Sequence, residues 1–283
     1  MGRKVNVLSS TALLHIFNDL GIKRGRLLDI GAWDGVYESN SRVFVEKDWE
    51  SYLIEGDKKK FNSLVMNNLK FSKSQCFNVM VSTETRFRQL LNLNHDQELD
   101  LLTIDIDGFE TSIINLLLIY NPKIIVTEFN PTISLDIYLA DLNKEYFGSS
   151  LSGITAMLQD SHTLIGILGA DAFYLRNDLF QSEKVYSKYF PANISFPRYF
   201  FAYNGQLIKS DTSLTFRELT SFINTKSIIS QNVQENFNVP WHLMQARQPL
   251  AKIFRSWPIK QIERLTFIYY RYYYKFVSIV KKL

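Results

Sequence analysis

The chain has 283 residues, of which 46% are hydrophobic and 21% are charged, a balance that is typical of a globular protein and excludes an intrinsically disordered one. Its single cysteine excludes a disulfide framework, and no uncharged apolar run reaches the roughly 18 residues that a membrane-spanning helix needs. The net charge of +4 is uneven, because residues 242–283 carry nine Lys or Arg residues against one acid.

The first third of the chain alternates between helical and extended patterns. Apolar residues at helical spacing predict a first helix over residues 10–20, which Gly21 ends. Short apolar runs separated by turn residues predict strands, and longer periodic stretches predict the helices between them. The predicted strands are 26–30, 51–54 and 75–81, and the predicted helices are 39–47 and 59–69.

The alternation continues to about residue 180. Two nearly continuous apolar runs, 99–106 and 123–127, are typical of strands buried on both faces, and they alternate with predicted helices over 110–120 and 149–159. A terminal hairpin is predicted from the runs 162–168 and 172–176, which flank a Gly-Ala-Asp turn. This succession predicts an α/β fold in which five strands are closed by an antiparallel pair.

The periodic pattern is lost after residue 180. Scattered aromatic residues with several Ser, Asn and Pro follow, without a clean period, up to residue 238. We therefore predict a domain over residues 1–180 and a mainly helical C-terminal extension over 181–283.

A nucleotide-like ligand is indicated by the turns that follow the first two predicted strands. Asp29, Gly31 and Gly35 follow the first strand, and glycine lets the backbone turn tightly and approach a ligand closely. Glu55 follows the second strand, where a carboxylate can accept hydrogen bonds from two ribose hydroxyls. The spacing between the two turns fits one βα unit of a doubly wound sheet.

Several ordered motifs give the chain its resemblance to a known family. The segments Asp-Ile-Gly-Ala-Trp-Asp-Gly at 29–35, Ser-Asn-Ser at 39–41, Leu-Ile-Glu-Gly-Asp at 53–57 and Ile-Asp-Ile-Asp-Gly-Phe-Glu at 104–110 resemble those of FkbM-type S-adenosylmethionine-dependent methyltransferases. The resemblance covers residues 10–180, with Asp107 in place of the family's usual Glu. It implies a Rossmann-like class I methyltransferase sheet of seven strands, the last one antiparallel.

The resemblance also implies which residues bind S-adenosylmethionine. They follow the first four strands and comprise Asp29, Gly31, Ala32, Gly35, Glu55, Gly56, Asp57, Asn78, Val79 and Asp105. In this pattern Glu55 binds the ribose hydroxyls, and the segment around Asn78 lies near the adenine. Trp33 and Asp34 depart from it, since small residues often occupy their positions in methyltransferases at large.

Acidic residues after the fourth and fifth strands indicate where the acceptor of the methyl group binds. Asp105 and Asp107 are two residues apart, so their side chains point to one face, and Glu128 and Asn130 are expected at the same rim. Such oxygen ligands suit Mg²⁺ and resemble the divalent site of catechol and macrolide-sugar O-methyltransferases. We expect catalytic roles for Asp105, Asp107 and Glu110, and metal ligation by Asp105, Glu128 and Asn130.

A simpler interpretation of this acidic segment stays open. Asp105 and Glu110 would then cap the following helix, and Asp107 would only face the substrate. A nucleic-acid partner is not expected, because Asn130-Pro131 lacks the second proline and the aromatic residue of the motif found in amino-methylating nucleic-acid enzymes.

The tail over residues 259–283 combines charge with aromatic character. On a helix its basic residues form one narrow stripe, opposite a broad face of aromatic and aliphatic residues. This pattern is typical of an interfacial helix on an anionic membrane. A helix docked on its own domain, or on a second subunit of an oligomer, explains it equally well.

These features predict an S-adenosylmethionine-dependent O-methyltransferase, which the resemblance directs to a sugar hydroxyl of a surface polysaccharide or glycolipid precursor. Two alternatives stay open. One is a non-catalytic assembly or binding protein attached through its basic tail, and the other is a methyltransferase for a small-molecule acceptor. The predicted location is the cytoplasm, with peripheral attachment to the inner face of the membrane if the tail binds lipid.

Overall fold

The structure of the protein is a computed structural model, in which residues 7–92, 97–106, 108–131, 133, 135, 138, 148–201 and 207–225 are described. Two predictions lie outside the described residues, namely the catalytic role of Asp107 and the amphipathic helix over 259–283.

The described chain alternates between helices and strands, as the sequence predicts for residues 1–180. The helices α1 to α8 span Val7–Asp19, Arg42–Val45, Lys58–Asn68, Phe87–Leu91, Glu110–Leu117, Leu151–Leu158, Glu183–Ser187 and Phe216–Thr225. The strands β1 to β9 span Arg26–Ile30, Glu50–Ile54, Ser74–Phe77, Leu101–Ile104, Ile124–Glu128, His162–Leu168, Asp171–Arg176, Asn193–Phe201 and Leu207–Thr215.

Seven strands form one mixed sheet in the order β3-β2-β1-β4-β5-β7-β6. The first five run parallel, whereas β7 lies antiparallel to both β5 and β6. Parallel strands joined by helices must cross over, and the helices then cover both faces of the sheet. The order and the reversed β7 confirm the predicted Rossmann-like class I methyltransferase sheet.

The sheet separates two hydrophobic clusters because successive side chains of a strand point to opposite faces. Leu28 of β1 and Leu102 of β4 belong to the cluster that includes α5. Leu27, next to Leu28, belongs instead to the cluster that includes Phe17 of α1 and the fully buried Trp49. Burial on both faces explains why Leu27, Leu28 and Ile30 of β1 and three of the four residues of β4 are apolar.

The predicted helix over 39–47 is shorter than expected. It begins at Arg42, because the Ser39 hydroxyl accepts a hydrogen bond from the Arg42 backbone N–H at 3.1 Å, and the Ser41 hydroxyl binds a β1 carboxylate. The strand predicted over 75–81 likewise ends early, at Phe77. Helix α4, Phe87–Leu91, was not predicted at all.

After residue 180 the chain contains an antiparallel hairpin of β8 and β9 between two helices, and the sequence pattern does not identify these strands. Ile194, Leu219 and Ile223 are buried in the hydrophobic cluster that contains Leu28, so this part of the extension shares the core of the sheet domain. The domain boundary near residue 180 stays a prediction. No helix among the described residues has both the length and the apolar character that crossing a membrane requires.

Candidate functional site

A crevice is expected where the strand order reverses, at the carboxyl ends of β1 and β4. From β1 the chain proceeds outward through β2 to β3, and then returns to β4 on the other side of β1. Loops that leave neighbouring strands in opposite directions open a cleft between them, and ligands of α/β sheets bind there. We call this side of the sheet, where β1, β2, β4 and β5 end, the carboxyl edge.

The turn over residues 31–35 needs glycine at both ends. Gly31 has a φ of +84°, and a Cβ there would lie 1.7 Å from the backbone oxygen of Asp105. The loops after β1 and β4 can therefore touch only because Gly31 has no side chain. Gly35 has a φ of +70°, and a Cβ there would lie 2.6 Å from a methyl carbon of Leu64 on α3. The backbone N–H of Ala32 donates to the carbonyl of Ile54, which joins the turn to β2.

Asp29 is buried at the carboxyl end of β1 and binds two hydroxyl groups. Its Oδ1 accepts a hydrogen bond from Thr103 Oγ1 at 2.6 Å, and its Oδ2 accepts one from Ser41 Oγ at 2.5 Å. Burial raises the pKa of Asp29 to about 6, the two hydroxyls oppose this shift, and the charges of Asp105 and Glu55 add to it. Asp29 thus joins β1 to β4 and to the segment after the glycine turn.

Glu55 links the turns after β1 and β2. Its Oε2 accepts a hydrogen bond from the Trp33 backbone N–H at 2.9 Å, and its Oε1 accepts one from the Asp57 backbone N–H at 2.7 Å. The Asn78 side-chain amide, after β3, donates to the carbonyls of Glu55 at 2.8 Å and Gly56 at 3.2 Å. The structure therefore brings together the predicted residues Glu55, Gly56 and Asn78.

Two other predicted cofactor residues have evident structural positions. Asp57 is the N-cap of α3, and its Oδ1 accepts hydrogen bonds from the backbone N–H groups of Lys59 and Lys60, both at 2.9 Å. The hydrogen bond from Lys60 is the main reason why the pKa of Asp57 is lowered. Val79 is partly buried and packs against the core cluster that contains Leu28.

Two acids of the predicted rim after β4 are among the described residues, one exposed and one buried. Asp105 is exposed, whereas the Glu110 side chain is only 1% exposed. Glu110 Oε1 accepts a hydrogen bond from the Gly108 backbone N–H at 2.5 Å, and Phe109 between them has a left-handed φ of 69°. Glu110 therefore holds the turn that begins α5, and Phe109, not Asp105, is the N-cap of that helix.

The predicted metal ligands follow β4 and β5. Glu128 is the last residue of β5 and lies in register with Asp171 of β7, while the Asn130 backbone N–H donates to the Ser149 carbonyl at 2.8 Å. Within the described part of the chain, no group of three or more His, Cys, Asp or Glu residues is arranged to hold a metal ion. The metal set of Asp105, Glu128 and Asn130 stays a prediction.

A second polar group at the carboxyl edge was not predicted. Asp171 Oδ2 accepts hydrogen bonds from Ser9 Oγ and from the Asn40 side-chain amide, both at 3.2 Å. Asn40 lies in the Ser-Asn-Ser motif that the sequence singled out, but nothing in the local pattern identifies Ser9 or Asp171 as its partners. The hydrogen bond from Asn40 to Asp171 and the one from Ser41 to Asp29 together hold residues 39–41 against the sheet.

No protein-family profile and no curated protein matches the chain. Solved structures with a similar fold include a candidate O-methyltransferase from Klebsiella pneumoniae, with 16% identity over 62% of this chain and 82% of that one, at a TM-score of 0.40. A TehB-like SAM-dependent methyltransferase from Corynebacterium glutamicum has 10% identity over 59% and 88%, at a TM-score of 0.37.

A candidate RNA methyltransferase from Pyrococcus horikoshii has 17% identity and a TM-score of 0.29, and the match covers 42% of this chain and 58% of that protein's length. Likenesses this distant do not bear on activity or substrate. The resemblance to the FkbM type stays a prediction.

Proposed function

We propose that the protein is an S-adenosylmethionine-dependent methyltransferase that methylates a hydroxyl group, with a sugar hydroxyl as the first candidate. The observation that carries the proposal is the carboxyl edge itself. A glycine turn there is joined through Glu55 to the end of β2, at the point where the strand order reverses. The choice of a sugar hydroxyl rests on the sequence resemblance alone.

The donors around the two buried acids support this cofactor. Asp29 and Glu55 accept their hydrogen bonds from hydroxyl and backbone N–H groups, which carry no charge to neutralise them. Each carboxylate oxygen has a second acceptor site, so Glu55 can also accept from ribose hydroxyls. Negative charge at the crevice favours a cationic ligand, and S-adenosylmethionine carries a sulfonium ion.

The cofactor would supply a methyl group on positively charged sulfur, ready for in-line attack by an acceptor oxygen. As the new carbon–oxygen bond forms and the carbon–sulfur bond breaks, the hydroxyl proton has to leave. Asp105 is the exposed carboxylate at the end of β4, and we assign it the role of orienting the hydroxyl and accepting this proton. Much of the acceleration would come from holding the two reactants in line.

Titration calorimetry with S-adenosylhomocysteine tests the cofactor site. Binding to the full chain is expected, and its absence would favour a non-catalytic protein that keeps the fold. The transfer itself is tested by incubation with S-adenosylmethionine and a candidate glycan, which should gain the mass of one methylene unit. A gain on small-molecule acceptors but on no glycan would favour the alternative substrate class.

A substitution separates chemistry from binding. Asp105→Asn is expected to lower kcat by about a hundredfold, because the amide cannot accept the hydroxyl proton. Asp178→Asn is the matched control, since Asp178 pairs with Arg176 at the opposite edge of the sheet. Equal kcat values for the two variants would contradict the role assigned to Asp105.

We also propose that the tail over residues 259–283 attaches the protein to anionic membranes, on the strength of its basic stripe and aromatic face. In a flotation assay the full chain should rise with anionic liposomes, whereas a chain cut before Pro258 should not. Equal flotation of the two would contradict the proposal.

A further inference from the structure

The glycine turn contains one residue whose conformation is costly. Trp33 has a φ of +51°, a left-handed conformation that a bulky side chain adopts at a cost on the order of 1–2 kcal/mol. Burial does not offset this cost, because 47% of the residue is exposed. A residue that breaks a local rule without gaining burial indicates a functional position.

A second aromatic side chain lies beside it. The ring centroids of Trp33 and Tyr37 are 6.4 Å apart, and Tyr37 is 48% exposed. Single exposed aromatic residues are common on protein surfaces, but two adjacent ones form a continuous apolar patch. The Trp33 backbone N–H is held by Glu55, so this patch stands next to the acid that we assign to the cofactor ribose.

One of three consecutive lysines adjoins the aromatic pair. The Lys60 ammonium lies 3.3 Å from the centroid of the Trp33 ring, and the Lys58 ammonium lies 5.2 Å from that of Phe61. Within the described residues, no acid comes within ion-pair distance of Lys58, Lys59 or Lys60. Two of the three cations are thus positioned over rings, and none of the three forms a salt bridge with a described residue.

We call Trp33, Tyr37 and Lys60 the aromatic–lysine patch. Exposed aromatic rings bind flat, apolar ligand surfaces, including the C–H face of a pyranose ring, by dispersion and by release of water. Lysine binds phosphate as a point charge. A ligand that combines a ring with a phosphate would therefore use both parts of the patch, whereas a neutral sugar or a free anion would use one.

We propose that the aromatic–lysine patch binds a phosphorylated sugar, as a part of the acceptor remote from the hydroxyl that is methylated. This inference rests on the proposed function and narrows its acceptor to sugars that carry a phosphate ester. Binding energy from a remote part of a substrate is available to position the reacting group. A free sugar phosphate, a nucleotide-linked sugar and a lipid-linked sugar share this chemistry.

Calorimetry of the full chain with glucose 1-phosphate tests the proposal, in the presence and absence of S-adenosylhomocysteine. Glucose 1-phosphate is expected to bind at least about tenfold more tightly than glucose or inorganic phosphate, since only it engages both parts of the patch. Equal affinity for inorganic phosphate, or no binding of glucose 1-phosphate, would overturn the proposal. Titration with uridine diphosphate glucose then distinguishes a nucleotide-linked acceptor from the simple sugar phosphate.

Variants assign the binding to the patch. Trp33→Asn removes the ring but keeps the backbone N–H to Glu55, and asparagine tolerates a positive φ better than tryptophan does. Its thermal midpoint should not fall, while the affinity for glucose 1-phosphate should drop about tenfold. Lys60→Gln should weaken that affinity similarly. Lys70→Gln is the matched control, because Lys70 also lies over a ring, that of Phe71, beyond the other end of α3.

The outcomes of the two proposals can be told apart. Loss of glucose 1-phosphate binding in Trp33→Asn, with S-adenosylhomocysteine binding intact, supports the patch. Unchanged glucose 1-phosphate binding in both Trp33→Asn and Lys60→Gln would overturn it, even if methyl transfer occurs. If glucose 1-phosphate binds through the patch while S-adenosylhomocysteine fails to bind, the proposed function is wrong and the patch stands.

Discussion

Acidic and basic side chains pair with each other at the edge of the sheet where β1, β2, β4 and β5 begin, whereas the buried acids at the carboxyl edge bind uncharged groups. At this amino edge, Arg26 pairs with Glu50 at 2.8 Å and Lys123 pairs with Asp100 at 2.7 Å. Arg176 extends the network through ion pairs with neighbouring acids. The amino edge neutralises its own charge.

At the carboxyl edge, Asp29 accepts from two hydroxyls and Glu55 accepts from two backbone N–H groups. These bonds fix the carboxylates in place but leave their charge for a ligand to neutralise. Because the hydrogen-bond donors to Asp29 carry no charge, its burial stays electrostatically costly, and a cationic cofactor would reduce that cost. Substitutions at the two edges should therefore have different consequences.

The largest effect is expected where the two loops of the carboxyl edge touch. Gly31→Ala would place a Cβ 1.7 Å from the Asp105 backbone oxygen, so the loops after β1 and β4 must separate. We expect the free energy of unfolding to fall by more than about 4 kcal/mol and S-adenosylhomocysteine binding to be lost. Chemical denaturation and calorimetry measure the two effects.

Gly169→Ala is the control for this substitution. Gly169 also has a positive φ, of +63°, but a Cβ there would meet nothing within 4 Å. The Gly169→Ala substitution should lower the free energy of unfolding by only about 1 kcal/mol, from backbone strain alone. A similar loss in both variants would show that the contact between the loops does not matter.

The next effect concerns pH. The pKa of Asp29 is raised to about 6 in the folded protein from its ordinary value of 3.8, so the folded state binds this proton more tightly than the unfolded state does. The stabilisation by protonated Asp29 is complete below pH 3.8 and is lost as the pH rises through 6, by about 3 kcal/mol in all.

Asp29→Asn should remove this dependence. The difference in unfolding free energy between wild type and the variant, measured by denaturation from pH 4 to pH 7, should change in favour of the variant as the pH rises. If the difference in unfolding free energy between wild type and Asp29→Asn did not change with pH, the pKa of Asp29 would not be raised in the folded protein. Glu50→Gln at the amino edge is the comparison, since the pKa of Glu50 is lowered and its substitution should show the opposite trend.

A third substitution compares two glutamates at opposite ends of β2. Glu55→Gln replaces one of the two acceptor oxygens by an amide donor, which cannot accept the N–H of Trp33 or of Asp57. We expect S-adenosylhomocysteine to bind about 10- to 100-fold more weakly. Glu50→Gln, at the start of β2, should leave this affinity unchanged. Calorimetry measures the affinity of both variants. An equal loss of affinity in the two would contradict the distinction between the edges.

The smallest effect is expected at the amino edge. Lys123→Met removes the ion pairs to Asp100 at 2.7 Å and to Glu98 at 3.4 Å. These pairs are partly exposed, so the loss should be only about 1 kcal/mol and should shrink at high salt. Thermal denaturation at low and high ionic strength measures it. A change in S-adenosylhomocysteine affinity would contradict the separation of the edges.

The end of the first strand could be predicted because it is marked locally. The run over 26–30 is apolar, contains the acid Asp29 and stops at Gly31, and the structure places β1 over the same residues. The partners of Asp29 could not be predicted, because Thr103 lies 74 residues away along the chain. That contact follows from the pairing of β1 with β4, which no local pattern encodes.

The same limit explains the roles of the acids. A local pattern shows that Glu110 follows a strand, but not whether its carboxylate points to solvent or, as found, back to the Gly108 N–H. Asp57 precedes a helix, so its capping role could have been predicted from the sequence. The resemblance also assigns Asp57 to the cofactor, and that role stays a prediction.

The hydrogen bond from the Trp33 backbone to Glu55 has a consequence for amide hydrogen exchange. Trp33 is about half exposed, yet its backbone N–H donates to the buried carboxylate of Glu55. That proton can exchange only when its hydrogen bond to Glu55 breaks. Its exchange rate therefore reports on opening of the turn rather than on exposure of the side chain. Trp33 would then combine an accessible side chain with a slowly exchanging amide, because that amide is bound within the turn.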